Sequence, residues 1–261
     1  MLKKEGIYSA PYLYFGFYPR LYTQQQLNPT ELYRDYMRTY VERDVRQLIN
    51  IKNLVQFQKL MKLLAGRVGQ ILNINDLCNS VGISHHTANE WLSVLEESFL
   101  IFRLAPYYEN FGKRLIKSPK IYFTDVWFAA YLLGIDDVRQ IETHSQRGNL
   151  FENLVLLEII KSRYNQAKDH NCYYYRDSNQ NEVDVIFSQA NRLIPIEIKS
   201  AQTFNKSFMK SLDYFRQLTT SRSPFGLLVY AGENEQAIRD CELVNYKNSI
   251  RLLQKKIIGL E

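Results

Sequence analysis

The sequence predicts a mixed chain of α+β or α/β class, with a helical first half followed by an α-β-β-β-α-β second half. Three observations predict it. Apolar residues recur at helical spacing through residues 31–65, whereas short β-branched and aromatic runs from Cys172 onward alternate with period two. The formal net charge of +6 falls wholly in residues 1–120, leaving 121–261 neutral. A length of 261 residues with 46% hydrophobic content supports more than one core. The expected parts are an N-terminal segment over 1–30, a helical domain over 31–140 and a mixed domain over 141–261.

Before Tyr18 come Tyr8, Tyr12, Leu13, Tyr14, Phe15 and Phe17, with no periodic partner. Such aromatics need a cover, so the segment is expected to pack onto the helical half or be buried in a homodimer. Glu31 to Ile51 then carries a helical stripe, Leu32, Tyr36, Tyr40 and Leu48 with Tyr33, Met37, Val41 and Val45 beside it. Leu54 to Ala65 repeats the pattern at Leu54, Phe57, Leu60, Met61 and Leu64. Asn75 to Gly82 reads as a short helix closed by glycine, and Ser84 as the N-cap of a helix running to about Glu97. This pair makes a helix-turn-helix. Ala88, Trp91, Leu92 and Leu95 form its inward face, leaving His85, His86, Asn89, Glu90 and Ser93 outward.

Phe99 to Leu104 reads as a strand and Tyr107 to Pro119 as a wing, which together predict a winged helix. Its candidate nucleic-acid contacts are His85, His86 and Asn89 on the helix and Lys113, Arg114 and Lys117 in the wing, among Tyr107, Tyr108 and Phe111. Basic groups meet phosphates and aromatic rings stack on bases, so DNA is the expected partner. A winged helix also serves protein contacts, and Glu90 on the outward face suits phosphates poorly. Lys120 to Phe123 reads as a strand, after which Asp125 is expected to cap a helix from Val126 to Leu133.

The second half opens with Asn149 to Ile160, a helix apolar on most sides that nevertheless contains Glu152. A buried carboxylate is costly unless paired or metal-bound. Strands follow over Cys172–Arg176, Glu182–Phe187 and Leu193–Lys199, the last two forming a hairpin around Ser188 to Arg192, then a helix from Asn205 to Leu218 and a strand from Phe225 to Ala231. Alternation puts Val183, Val185 and Phe187 on one face and Asp184 on the other, while Ile196 and Ile198 oppose Glu197 and Lys199. Asp184 and Glu197 are therefore candidate ligands for a hard cation, Mg²⁺ or Mn²⁺, which takes one or two carboxylates plus waters and a phosphate. Lys199 would face the same pocket, to orient or deprotonate an attacking water or to offset charge on phosphorus. A Glu-x-Lys strand is also a common solvated ion pair.

Several classes are set aside. Cys78, Cys172 and Cys241 are far apart and lack metal-ligand spacing, so buried thiols are expected in place of disulfides or zinc. No apolar run approaches the eighteen residues of a membrane span, and Met1-Leu-Lys-Lys-Glu5 lacks a signal-peptide core. The expected location is cytoplasmic, away from the membrane.

Glu152, Asp184, Glu197 and Lys199, carried on that α-β-β-β-α-β order over Arg147 to Tyr230, resemble the PD-(D/E)XK nuclease superfamily. The resemblance implies that Asp184 and Glu197 are metal ligands, Lys199 the catalytic lysine and Glu152 an accessory catalytic carboxylate. Val183 stands where the leading proline of that name would be. Further stretches, Tyr40-Val-Glu-Arg-Asp-Val45, Lys117-Ser-Pro-Lys-Ile-Tyr-Phe-Thr-Asp125, Arg147 to Val155, Glu182-Val-Asp184 and Ile196-Glu-Ile-Lys-Ser200, resemble the C-terminal region of bacterial and archaeal AAA+ type ATP-binding proteins, a region catalogued as a domain of unknown function. Those proteins normally begin with an ATPase domain. This sequence contains no Gly-x-x-x-x-Gly-Lys-Ser/Thr loop, so it is expected to be either a truncated family member or a C-terminal fragment, to bind no ATP and to hydrolyse none. Asn181 replaces a usual glycine and is expected to take a left-handed turn. The resulting expectation is a Mg²⁺-dependent, DNA-binding nuclease. The alternative is an inactive regulator or protein-interaction module keeping the same fold as scaffold.

Overall fold

Short polar side chains open the helices. The computed structural model describes residues 10–24, 26–45, 53–108, 116–219 and 222–258. In it Asn28, Asn53, Asn73, Ser84, Asp125 and Asp137 each accept a backbone N–H from the first turn of the helix they precede. The chain forms two compact units, one of Met1–Arg103 with Lys120–Asn153, the other of Leu104–Pro119 with Leu154–Glu261.

The first unit is mostly helical: α1 (Ala10–Phe15), α2 (Pro19–Thr23), α3 (Pro29–Tyr36), α4 (Leu54–Ala65), α5 (Ile74–Val81), α6 (His85–Glu97), α7 (Val126–Leu132) and α8 (Val138–Thr143). A two-stranded sheet pairs β1 (Ile101–Leu104) with β2 (Lys120–Phe123). The expected single helix over Glu31–Ile51 is α-helical only to Tyr36, then π-helical over Met37–Val45, and residues 46–52 lie outside those described. Bonding from i to i+5 widens the turn, and positions four apart still share a face. Met37 and Val41 are accordingly both buried, and Tyr36 stacks on Tyr40 at 5.2 Å. Leu60, Leu64, Leu77, Leu92 and Leu95 are fully buried in α4, α5 and α6, so truncating one to alanine is expected to cost roughly 2–5 kcal/mol.

Part of the aromatic N-terminal segment is covered within this unit, although Phe15 is exposed and Tyr8 lies outside the described residues. Leu13 is buried, the Tyr14 hydroxyl donates to the Asp136 carbonyl at 2.6 Å, and Tyr33 stacks on Trp127 at 3.8 Å. Asp125 caps α7 as expected, through the Trp127 N–H at 2.8 Å. It also accepts the Phe17 N–H and the Tyr33 hydroxyl, each at 3.4 Å. Gly16 makes this closeness possible: at φ +61° a Cβ there would stand 2.4 Å from Asp125 Oδ1. Gly82, left-handed at φ 81°, ends α5 by donating to the Cys78 carbonyl at 2.8 Å.

The second unit is built on a mixed six-stranded sheet ordered β3-β4-β5-β6-β8-β7, from β3 (Cys172–Arg176), β4 (Glu182–Gln189), β5 (Arg192–Lys199), β6 (Gly226–Tyr230), β7 (Gln236–Ile238) and β8 (Cys241–Asn245). The β3-β4-β5 meander is antiparallel, β5-β6-β8 is parallel, and β7 closes the edge antiparallel to β8. A long helix α9 (Arg147–Tyr164) precedes the sheet, and its residues from Leu154 onward belong to this unit. A 3₁₀ turn (Lys206–Met209) leads into α10 (Lys210–Thr219), which makes the crossover required between parallel β5 and β6. Leu212 and Phe215 of α10 pack into one buried cluster with Val183, Ile186, Leu193 and Leu228. A final helix, α11 (Ser249–Ile258), follows β8, and no expectation covered β7, β8 or α11.

Two local readings need correction. Tyr173 pairs with Ile186 but Tyr175 with Val183, so β4 carries one extra residue between these pairs, a β-bulge. The bulge breaks strict alternation: Val183 shares the α10-covered face with Ile186 and does not oppose Asp184 as period two required. In the turn before β4 the left-handed residue is Gln180, at φ 66°, and not Asn181. Asn181 instead donates its N–H and its side-chain amide to Asp177, each at 3.0 Å. Of the expected wing, residues 109–115 lie outside those described, while Ala105 and Tyr107 exchange backbone hydrogen bonds with Tyr174 and Leu104–Pro119 groups with the second unit.

Candidate active site

The β4–β5 ladder positions the carboxylates. Its last regular pair here is Val185 with Ile196, and the next N–H, that of Ile198, donates to Asp184 Oδ2 at 2.8 Å. Extending the register sets Asp184 opposite Glu197, and directly opposed residues of an antiparallel pair share a face. Lys199, two residues on, projects the same way. Its Nζ bonds Glu197 Oε1 and lies 3.9 Å from Asp184 Oδ2, while Ser211 Oγ of α10 donates to Glu197 Oε2 at 2.6 Å. Asp184 and Glu197 are buried at 8% and 6% exposure, and the Lys199 side chain is about one-third exposed.

Burial, and then the neighbouring charge of Asp184, push the Glu197 carboxyl up to about 8. Lys199 and Ser211 act in the opposite direction without cancelling these effects. One ammonium thus faces two crowded carboxyls. Hard oxygen donors held together, with like charges short of compensation, suit Mg²⁺ or Mn²⁺, and Asp184 and Glu197 would hold it. No group of three or more His, Cys, Asp or Glu placed to hold a metal ion occurs among the described residues, so waters or a substrate phosphate would complete the coordination.

Glu152 belongs to the first unit, where Lys120 Nζ bonds it at 3.1 Å and the Tyr122 hydroxyl also donates to it; Lys120 and Glu152 are both buried. The structure therefore brings Asp184, Glu197 and Lys199 together and gives Glu152 partners of its own. His85, His86 and Asn89 are exposed on α6: His85 meets Asn75, His86 lies 3.1 Å from Glu90, and Asn89 donates to the His85 carbonyl at 2.9 Å. Lys117 is exposed, 5.9 Å from the Tyr108 ring centre. Phe111, Lys113 and Arg114 lie outside the described residues.

Sequence reasoning missed Ser211, Lys120 and Asp177. The Asp177 carboxyl accepts from the Asn179 and Asn181 N–H groups and from the Tyr214 hydroxyl at 2.5 Å. Burial alone would raise it, but the hydrogen bonds from Tyr214, Asn181 and Asn179 hold it below the usual carboxylate range. Cys78, Cys172 and Cys241 are free and buried, as expected, and burial pushes the Cys172 thiol up to about 12. Among the described residues no helix is long and apolar enough to cross a membrane.

Two family models match the chain, Domain of unknown function (DUF8612) over residues 9–139 and Domain of unknown function (DUF4143) over residues 147–248. An uncharacterized protein of Mycobacterium tuberculosis is 29% identical over 189 residues, covering 72% of this chain and 42% of that protein. One from Haemophilus influenzae is 25% identical over 166 residues, covering 61% and 39% respectively. One from Methanocaldococcus jannaschii is 22% identical over 214 residues, covering 79% and 45%. The chain spans less than half the length of each of these relatives.

Proposed function

The chain belongs to the family described as Domain of unknown function (DUF8612), and with no activity in that description to inherit, we propose from the site itself a Mg²⁺- or Mn²⁺-dependent nuclease acting on DNA. One observation carries the reading: Asp184, Glu197 and Lys199 meet on one face of the second unit's sheet, both carboxylates buried, beside a bulge in β4. Bulges recur next to active sites, where they re-aim a side chain. The antiparallel meander, the α10 crossover and the parallel continuation support a PD-(D/E)XK-like core. The α5–α6 pair followed by β1 and β2 supports a winged-helix reading of the first unit.

Hydrolysis of a phosphodiester joins a water oxygen to phosphorus, breaks one P–O ester bond and returns a proton to the leaving alkoxide. The cation, when bound, supplies Lewis-acid polarisation and a more acidic water. Lys199 stabilises charge gathering on the phosphoryl oxygens, or takes a proton from the attacking water. Ile198 N–H keeps Asp184 fixed, and Ser211 does the same for Glu197. A catalytic part for Glu152 rests on resemblance alone, since its observed partners are Lys120 and Tyr122.

A second reading has its own observation. Lys199 already bonds one carboxylate and lies within ion-pair reach of the other, as in a self-satisfied cluster of an inactive scaffold or partner-binding module. The two readings separate on incubation with supercoiled, linear and single-stranded DNA and with RNA in Mg²⁺ or Mn²⁺. The nuclease reading predicts cleavage that falls about 10²- to 10³-fold in Asp184→Ala and Lys199→Ala. Cleavage unchanged in both variants, or absent from the parent protein, defeats it.

A further inference from the structure

The two oxygens of Glu197 have different partners. Oε1 meets Lys199, whereas Oε2 accepts the Ser211 hydroxyl at 2.6 Å. Ser211 is not a loop residue free to wander. It stands in the first turn of α10, next to fully buried Leu212, and the same helix is anchored by Phe215 in the core and by the Tyr214 hydroxyl on Asp177 at 2.5 Å. The packed helix therefore fixes where the hydroxyl sits relative to β5.

Resting on the cation-site reading above, we propose that Ser211 is a positioning residue that holds Glu197 so that Oε1, together with Asp184, faces a single divalent cation. With the hydroxyl gone, Oε2 is a buried acceptor without its donor, while the Lys199 ammonium remains bonded to the other oxygen of the same carboxylate. The carboxylate then turns toward Lys199, and Oε1 is withdrawn from the cation. Hydrogen-bond partners one step behind the metal ligands commonly set affinity by 10- to 100-fold. Ser211 touches neither substrate nor cation in this scheme and acts only through Glu197.

The test is Mn²⁺ titration of the whole chain, read by calorimetry and by the Mn²⁺ paramagnetic signal. The parent is compared with Ser211→Ala, with the isosteric pair Ser211→Thr and Ser211→Val, and with Asp184→Asn. We expect Ser211→Ala and Ser211→Val to bind Mn²⁺ about 10- to 100-fold more weakly and Ser211→Thr to stay within about twofold of the parent. DNA cleavage should lose kcat with KM for DNA unchanged. Since threonine and valine have the same shape, a difference between them reports the hydroxyl even if Ser211→Ala fails to fold. Equal weakening in Ser211→Thr and Ser211→Val, or parental affinity in Ser211→Ala and Ser211→Val while Asp184→Asn loses binding, overturns the role of Ser211 and leaves the site reading intact. A parent protein that takes up no Mn²⁺ overturns both.

Discussion

At the scale of the residue, Glu197 is the most informative side chain. Its carboxyl ordinarily titrates near 4.5 and is pushed to about 8, by burial first and the Asp184 charge second. The metal-free folded state thus keeps a proton that the unfolded chain releases. The resulting stabilisation is complete below about pH 4.5 and is lost as pH rises through about 8. In the presence of chelator, the thermal midpoint should fall between about pH 5 and pH 8, and Glu197→Gln should flatten much of that slope. Identical slopes in parent and variant would show that Glu197 titrates normally in the folded protein. The pairing of Glu197 with Asp184 and Lys199 was legible from the spacing of short alternating runs. Ser211 was not, because its meeting with Glu197 depends on how α10 crosses the sheet, and no local pattern encodes that.

At the scale of the element, capping residues and apolar periodicity placed α5, α6, α7 and β2 through β5 within a few residues of where they stand. Local chemistry decides such boundaries, as Ser84 and Asp125 do when each accepts a first-turn N–H. The bulge in β4 was not legible, since a period-two reading assumes each residue has one partner, whereas Tyr173 and Tyr175 span three steps of β4. The α1–α7 contact was likewise invisible until Gly16 met Asp125. Two left-handed glycines separate crowding from backbone strain. A Cβ at Gly16 would lie 2.4 Å from Asp125 Oδ1, whereas one at Gly134, φ +79°, would have nothing within 4 Å. Gly134→Ala should cost about 1–2 kcal/mol and Gly16→Ala roughly 2–5 kcal/mol. Chemical denaturation giving equal losses would mean that the Asp125 region yields to the added methyl group.

At the scale of the whole molecule, the basic stretch and the candidate site fall in the same unit. Residues 1–120 carry the excess positive charge, but Leu104–Pro119, with Lys113, Arg114 and Lys117 in its sequence, groups with the second unit, which also bears the carboxylates that would hold the cation. If the basic segment grips phosphates, DNA affinity falls with salt, and neutralising Lys113, Arg114 and Lys117 together lowers the log–log slope by about 3. An unchanged slope would move the DNA-binding surface elsewhere. The central claim, however, is that Asp184 and Glu197 share a divalent cation, and the most direct measurement is anomalous diffraction from crystals grown with Mn²⁺. One manganese peak bonded to both carboxylates at about 2.0–2.2 Å is expected, with Lys199 drawn away from Glu197 Oε1. No peak at saturating Mn²⁺, with Lys199 still bonded to Glu197, would contradict it.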